Sequence, residues 1–112
     1  MQNFSPEALQ QVAEYFQALS EPTRLQILNL LRTGAQNVGE IAQACNCSSA
    51  NVSRHLSMLT RKGLLERESR GNTVYYAIAD ESIYELCDLV CGQIARHMTR
   101  SISENKLFKK FT

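Results

Sequence analysis

The chain has 112 residues, 44% of them hydrophobic, and a formal net charge of +1. That fits one folded domain over 1–112 and argues against low-complexity disorder. No apolar run approaches the roughly 20 residues that cross a bilayer, and the N-terminus MQNFSPEALQQVAEYF has no basic patch leading into an apolar core, so neither a membrane anchor nor a signal peptide is expected. Four cysteines without framework-like spacing suit a reducing cytoplasm better than a stapled secreted domain. The small net charge hides an asymmetry. Residues 1–47 carry Arg24 and Arg32 against Glu7, Glu14, Glu21 and Glu40, whereas residues 48–76 carry Arg54, Arg61, Lys62, Arg67 and Arg70 against Glu66 and Glu68. Positive charge is gathered in the middle of the chain, as a nucleic-acid-binding surface requires.

The first predicted helix starts at Ser5, with Pro6 in its first turn, where a missing N–H costs nothing. Leu9, Val12, Ala13, Phe16 and Leu19 give it an apolar stripe. Ser20-Glu21-Pro22-Thr23 breaks and restarts the chain, and Glu21 places negative charge on the opening turn of the second helix. That helix runs to about Arg32. Leu25, Ile27, Leu28, Leu30 and Leu31 are too many for one thin stripe, which makes it the expected buried centre. Gly34 ends it. Asn37 reads as a cap for a short helix, Val38 to Ala44, and Cys45-Asn46-Cys47 as the turn into the next.

The stretch SSANVSRHLSMLTRK, Ser48 to Lys62, is the most informative. Val52, Leu56 and Leu59 form one apolar seam of a helix. The other face carries Ser49, Asn51, Ser53, Arg54, Ser57 and Arg61, short donors and acceptors plus guanidiniums, the side chains that reach base edges and phosphates. An ordinary surface helix would carry more Glu–Lys pairs and less Ser and Asn; this stretch has no acidic residue. Ser48 or Ser49 caps its start and Gly63 ends it. The period then changes to that of strands. Leu64 to Ser69 alternates, Arg70-Gly71-Asn72 turns, and Thr73 to Ile78 is β-branched and aromatic. A two-stranded hairpin is expected, with Arg70 at its tip, Arg67 on its first arm, and Val74, Tyr76 and Ile78 leaning on the helices. Asp80 to about Ser101 is a long last helix. Its stripe of Ile83, Leu86, Cys87, Val90, Ile94 and Met98 exceeds what one small core needs and, with Phe16, suggests a homodimer interface. A tail from Glu104 to Thr112 ends in Leu-Phe-Lys-Lys-Phe.

The expected fold is therefore mainly α with a β-hairpin wing: a winged helix-turn-helix of about five helices. LSEPTRLQILNLL at Leu19 to Leu31, VGEIAQACNCSSANVSRHLSMLTRKGLL at Val38 to Leu65, and ERESRGNTVYYAIAD at Glu66 to Asp80 resemble the arsenic-repressor (ArsR) family of small bacterial regulators. The resemblance covers roughly residues 10 to 98. It implies a homodimer that pairs its first and last helices, binds double-stranded operator DNA and usually represses until an inducer, often a metal or metalloid, releases it. Carried over by position, it implies DNA contacts from Ser48, Ser49, Asn51, Ser53, Arg54, His55, Ser57 and Arg61 in the polar helix and from Arg67 and Arg70 in the wing. His55 stands just before buried Leu56, and two roles remain open for it: a phosphate contact, or a structural hydrogen bond to the wing.

The family's sensing patterns are broken in this chain. The zinc pattern of the last helix falls on Asp80, Ser82, Gln93 and Arg96, which retains one ligand of four and adds a cation. The arsenic C-x-C pattern falls on Asn37 and Gly39. The chain's own cysteines lie elsewhere. Cys45 and Cys47 read as small buried hydrophobes or as an incomplete site for a soft ion such as As(III). Cys87 and Cys91, four apart on the last helix, read as interface packing or as a thiol or metalloid sensor. Other function classes are weaker. A winged-helix protein–protein module would favour an acidic or apolar reading face. A regulator of the same fold without metal or redox sensing is also consistent. An enzyme is the least supported class, because His55 and His97 lie in separate helices and no Gly-rich phosphate loop is present.

Overall fold

A computed structural model describes residues 3–101; the tail from Glu104 to Thr112 lies outside them. Local hydrogen bonds that the sequence encodes set the helix boundaries. Ser5 Oγ accepts the Ala8 N–H at 3.1 Å and Pro6 opens α1, Pro6–Ala18. Glu21 is itself the cap of α2, Pro22–Leu30: its carboxylate accepts the Arg24 N–H at 2.9 Å. A 3-10 turn, Leu31–Thr33, follows. Asn37 begins α3, Val38–Cys45, with a reciprocal capping box. Its side chain accepts from the Glu40 N–H at 2.8 Å, and Glu40 accepts from the Asn37 N–H at 2.9 Å. Asn46, in the left-handed conformation at φ 54°, closes α3. Ser48 then caps α4, Ser49–Arg61, accepting the Asn51 N–H at 3.1 Å. At the far end Gly63 takes φ 82°, the Gly63 N–H bonds Thr60 O and the Leu64 N–H bonds Leu59 O at 2.9 Å. That is the Schellman pattern, which favours glycine at this position because it lacks a Cβ.

The chain divides into two compact units, one up to Ala79 and one from Asp80. In the first, Ile27 of α2, Ile41 of α3 and Val52, Leu56 and Leu59 of α4 are fully buried, and Leu28, Leu31, Leu64, Leu65 and Tyr76 nearly so. Each such aliphatic side chain stabilises the fold by roughly 1.5–3 kcal/mol, so the apolar seam of α4 is a main support of its own helix. One expectation needs correction. Leu25 is 42% exposed; at 3.6 residues per turn it lies roughly 160° round the helix from Ile27, so α2 is not buried all round. On the α1 stripe Leu9 and Phe16 are exposed, at 45% and 46%, while Ala18 is the buried residue of that helix.

The expected hairpin is part of a three-stranded antiparallel sheet in the order β1-β3-β2, built from β1 Gln36–Asn37, β2 Leu65–Arg70 and β3 Thr73–Ile78. Leu65 pairs with Ile78 and Arg70 with Thr73, while Gln36 and Asn37 pair with Tyr76 and Tyr75. Two residues are too few to show a period, so β1 had no local signature. Asn37 ends this strand and caps α3, which joins the wing to the helix-turn-helix through one residue. Tyr76 is buried as expected, but Val74, Tyr75, Ala77 and Ile78 are all half-buried, so β3 does not show the expected alternation.

The second unit contains α5, Ser82–Ser101. Asp80 Oδ1 accepts the Ser82 N–H at 2.9 Å at its start. Val90 and Ile94 are 45% and 40% exposed, and Leu86, Cys87, Cys91 and Met98 are half-buried. Ile83, expected on an interface between chains, is only 3% exposed within a single chain, and Leu89, off the expected stripe, is 70% exposed. No helix among the described residues is long and apolar enough to cross a membrane.

Candidate nucleic-acid interface

With Val52, Leu56 and Leu59 turned into the core, helical geometry leaves the opposite face of α4 outward. Ser49, Ser53, Arg54, Ser57 and Arg61 are exposed and Asn51 half-buried. Arg54 Nη2 donates to Asn51 Oδ1 at 2.6 Å, a contact one helical turn long that holds the guanidinium along the helix surface. A shallow groove of about 580 Å³ runs over this face, lined by Arg24, Ser53, Arg54, His55, Ser57, Met58 and Arg61. Three guanidiniums and two hydroxyls therefore share one open surface with no carboxylate in its lining.

The structure assigns two of the expected side chains to local bonding. Ser48 is exposed, and its hydroxyl is the α4 cap. His55 is turned toward the start of α2, not toward the wing. Arg24 Nη1 lies 3.3 Å from His55 Nδ1, Glu21 Oε2 lies 3.8 Å from His55 Nε2, and the His55 side chain is only 16% exposed. Of the two roles left open for His55, a structural hydrogen bond is present, but its partner is Arg24 and not the wing. Arg24 was not foreseen in this region, because its neighbour His55 is 31 residues away in sequence and such pairings leave no periodic trace.

On the wing, Arg67 is exposed in mid-strand. The Arg70 guanidinium stands 4.5 Å over the Tyr75 ring and its Nε lies 3.3 Å from Glu68 Oε1. Tyr75 supports the tip arginine through this cation–π contact. Lys62, just past α4, bonds Glu14 of α1 at 3.1 Å. That hydrogen bond, then one from Gln10, holds the Glu14 carboxyl below its usual value.

The cysteines are four half-buried thiols with no disulfide. Cys47 Sγ donates to Cys45 O at 3.4 Å, and burial, followed by the neighbouring Cys47, pushes the Cys45 thiol up, which disfavours the thiolate that binds soft ions. Asp80, the one residue that fits the zinc pattern, is engaged at the start of α5; the backbone hydrogen bond from Ser82 holds its carboxyl low. No group of three or more His, Cys, Asp or Glu side chains able to hold a metal ion occurs among the described residues.

A profile described as a helix-turn-helix domain matches residues 19–68. The solution structure of the homodimeric winged helix-turn-helix DNA-binding domain of Mb0332 from Mycobacterium bovis, a possible ArsR-family transcriptional regulator, matches with a TM-score of 0.75. It is 35% identical, with 89% of this chain and 95% of that one covered. This chain belongs to the ArsR/SmtB family of winged helix-turn-helix transcriptional regulators. Another solved structure, Rv0081 of Mycobacterium tuberculosis, has a TM-score of 0.79 at 31% identity, covering 88% of this chain and 99% of that one. The transcriptional repressor SdpR of Bacillus subtilis (strain 168) is 36% identical over 63 residues, 56% of this chain and 70% of SdpR. The fold expected from the sequence, mainly α with a β wing, is the ArsR-family architecture. The family is one of non-catalytic DNA-binding regulators.

Proposed function

We propose that the chain is a homodimeric, sequence-specific transcriptional repressor of the cytoplasm, with residues 1–112 serving as one DNA-binding and dimerisation domain. The observation that carries this reading is the outward face of α4, where Ser49, Asn51, Ser53, Arg54, Ser57 and Arg61 stand together. These donors suit the major groove, and Arg54 suits the paired acceptors of a guanine. Arg67 and Arg70 suit the phosphate backbone beside it. The homodimer is supported by the exposed Phe16 on α1 and Val90 and Ile94 on α5, together with the homodimeric Mb0332 domain.

Fluorescence anisotropy with a duplex selected by the chain from a random pool tests this reading. Arg54→Ala is expected to weaken that complex about 10- to 100-fold and to narrow its margin over a scrambled duplex. Arg70→Ala is expected to weaken both complexes alike and to reduce the salt slope by about one. Unchanged affinity in both variants would overturn the assignment, and a monomer in sedimentation at the DNA-binding concentration would overturn the dimer.

For release from DNA, we propose control through Cys87 and Cys91, four residues apart on α5 and half-buried. The family includes regulators of metal and metalloid response. α5 supplies two thiols, and no group of three or more His, Cys, Asp or Glu side chains able to hold a metal ion occurs among the described residues; a three-coordinate As(III) site would need a third thiolate from outside α5. A Cys87→Ser, Cys91→Ser double variant whose operator complex responds to arsenite and peroxide as the parent does would exclude this control.

A further inference from the structure

We infer that His55 is a positioning residue: through Arg24 and Glu21 it fixes the rotation of α4 against the α1–α2 junction, and it does not itself touch DNA. The inference rests on the DNA-binding reading above.

The tie starts at the end of α1. The last carbonyls of a helix lack intrahelical partners and carry the negative end of its dipole. Arg24 answers both needs. Its Nε donates to Ala18 O at 2.7 Å and its Nη2 to Gln17 O at 3.2 Å, which leaves Nη1 beside His55 Nδ1 at 3.3 Å. A guanidinium only donates, so Nδ1 is the acceptor and the ring carries its proton on Nε2. That N–H faces Glu21 Oε2 at 3.8 Å, the same oxygen that accepts the Arg24 N–H and caps α2. One imidazole on α4 thus meets a side chain that holds the end of α1 and another that starts α2.

Such a tie supplies something the core lacks. Val52, Leu56 and Leu59 anchor α4 through contacts without direction, and an apolar seam tolerates some rolling of a helix about its axis. Base contacts do not, because recognition needs side chains held within about 0.5 Å and 10–20°. The His55 ring is planar, 16% exposed and set between exposed Arg54 and fully buried Leu56. Its directional contacts sit where they oppose a roll of Asn51 and Arg54 out of register.

A phosphate contact and a positioning contact leave different signatures. Loss of a phosphate contact weakens all duplexes and lowers the salt slope by about one. Loss of a positioning contact weakens the selected duplex alone. The test is a set of anisotropy titrations of the full-length chain over a salt series. The probes are a duplex selected by the wild-type chain from a random pool and a scrambled duplex, with active fractions set by stoichiometric titration. His55→Ala is expected to lose about tenfold on the selected duplex, to stay within about twofold on the scrambled one and to keep the salt slope. His55→Asn, whose amide oxygen can replace Nδ1 as the acceptor for Arg24, is expected to recover most of the loss. Arg24→Lys, which keeps the charge and loses the fork, is expected to repeat the alanine pattern, and it serves as a second variant should His55→Ala fail to fold.

Equal loss on both duplexes with a smaller slope overturns the proposal in favour of a phosphate contact. His55→Asn binding no better than His55→Ala, or His55→Ala binding like wild type, overturns it as well. A wild-type chain that binds neither duplex removes the DNA reading, and the proposal with it; the wild-type titration separates that failure from the others.

Discussion

Single residues set where the reading helix begins and ends. Ser48 satisfies the Asn51 N–H at the start of α4, and alanine there is expected to cost about 1 kcal/mol, seen as a lower denaturation midpoint at unchanged slope in urea. Gly63 holds φ 82° with open space around the missing Cβ. Gly63→Ala should therefore lose stability through backbone strain and not through a clash, on the order of 1 kcal/mol, by the same measurement. Both roles were legible in the sequence, because caps and left-handed closures are written within a few residues of one another. The same locality explains Asn37 with Glu40. It also explains the failures at this scale. His55 and Arg24 meet across 31 residues, and the left-handed Asn46 lay inside a stretch read as a turn with no conformation assigned to it. Side chains brought together by tertiary folding carry no spacing rule that a single sequence reveals.

At the scale of elements, the seam of α4 was legible because it has a period and a buried face, whereas β3 was legible from its β-branched and aromatic residues and buries only Tyr76 fully. The α1 stripe has the right period too, yet Leu9 and Phe16 are exposed. A period reports an apolar face and not what covers it. β1 escaped because two residues have no period. The wing is where an element acts as a unit. Arg70 is held by Glu68 at 3.3 Å and by the Tyr75 ring at 4.5 Å, so any phosphate must compete with Glu68 for the guanidinium. Glu68→Gln is expected to tighten binding severalfold on selected and scrambled duplexes alike, since it removes a like charge from the phosphate-facing arm; paired titrations at two salt concentrations check this. Tyr75→Leu, which removes the ring face, is expected to weaken both complexes slightly by loosening Arg70.

For the whole molecule, acidity is the relevant variable. Three carboxyls are held below their usual values. Hydrogen bonding to Lys62 acts on Glu14 and the Ser82 N–H on Asp80; for Glu21, burial pushes upward but is outweighed, chiefly by the backbone N–H of Arg24. A carboxyl whose folded pKa lies below its unfolded one stabilises the protein above the unfolded value, near pH 4, and loses that contribution as pH falls through the folded value. Urea midpoints are therefore expected to be level down to about pH 5 and to drop below about pH 4. All three groups lie near the surface, so added salt should flatten the drop. The sheet has a further consequence. In the order β1-β3-β2, β2 is an open edge, and a bare edge invites a strand from another copy to add on. From Glu66 to Arg70 every residue of that edge is exposed, and four of the five are charged with alternating sign. All four charges make this edge costly to desolvate and so keep it from becoming a template for aggregation, while Glu66 and Glu68 among them weaken attraction to DNA, so the wing's mixed charge is a compromise between grip and solubility.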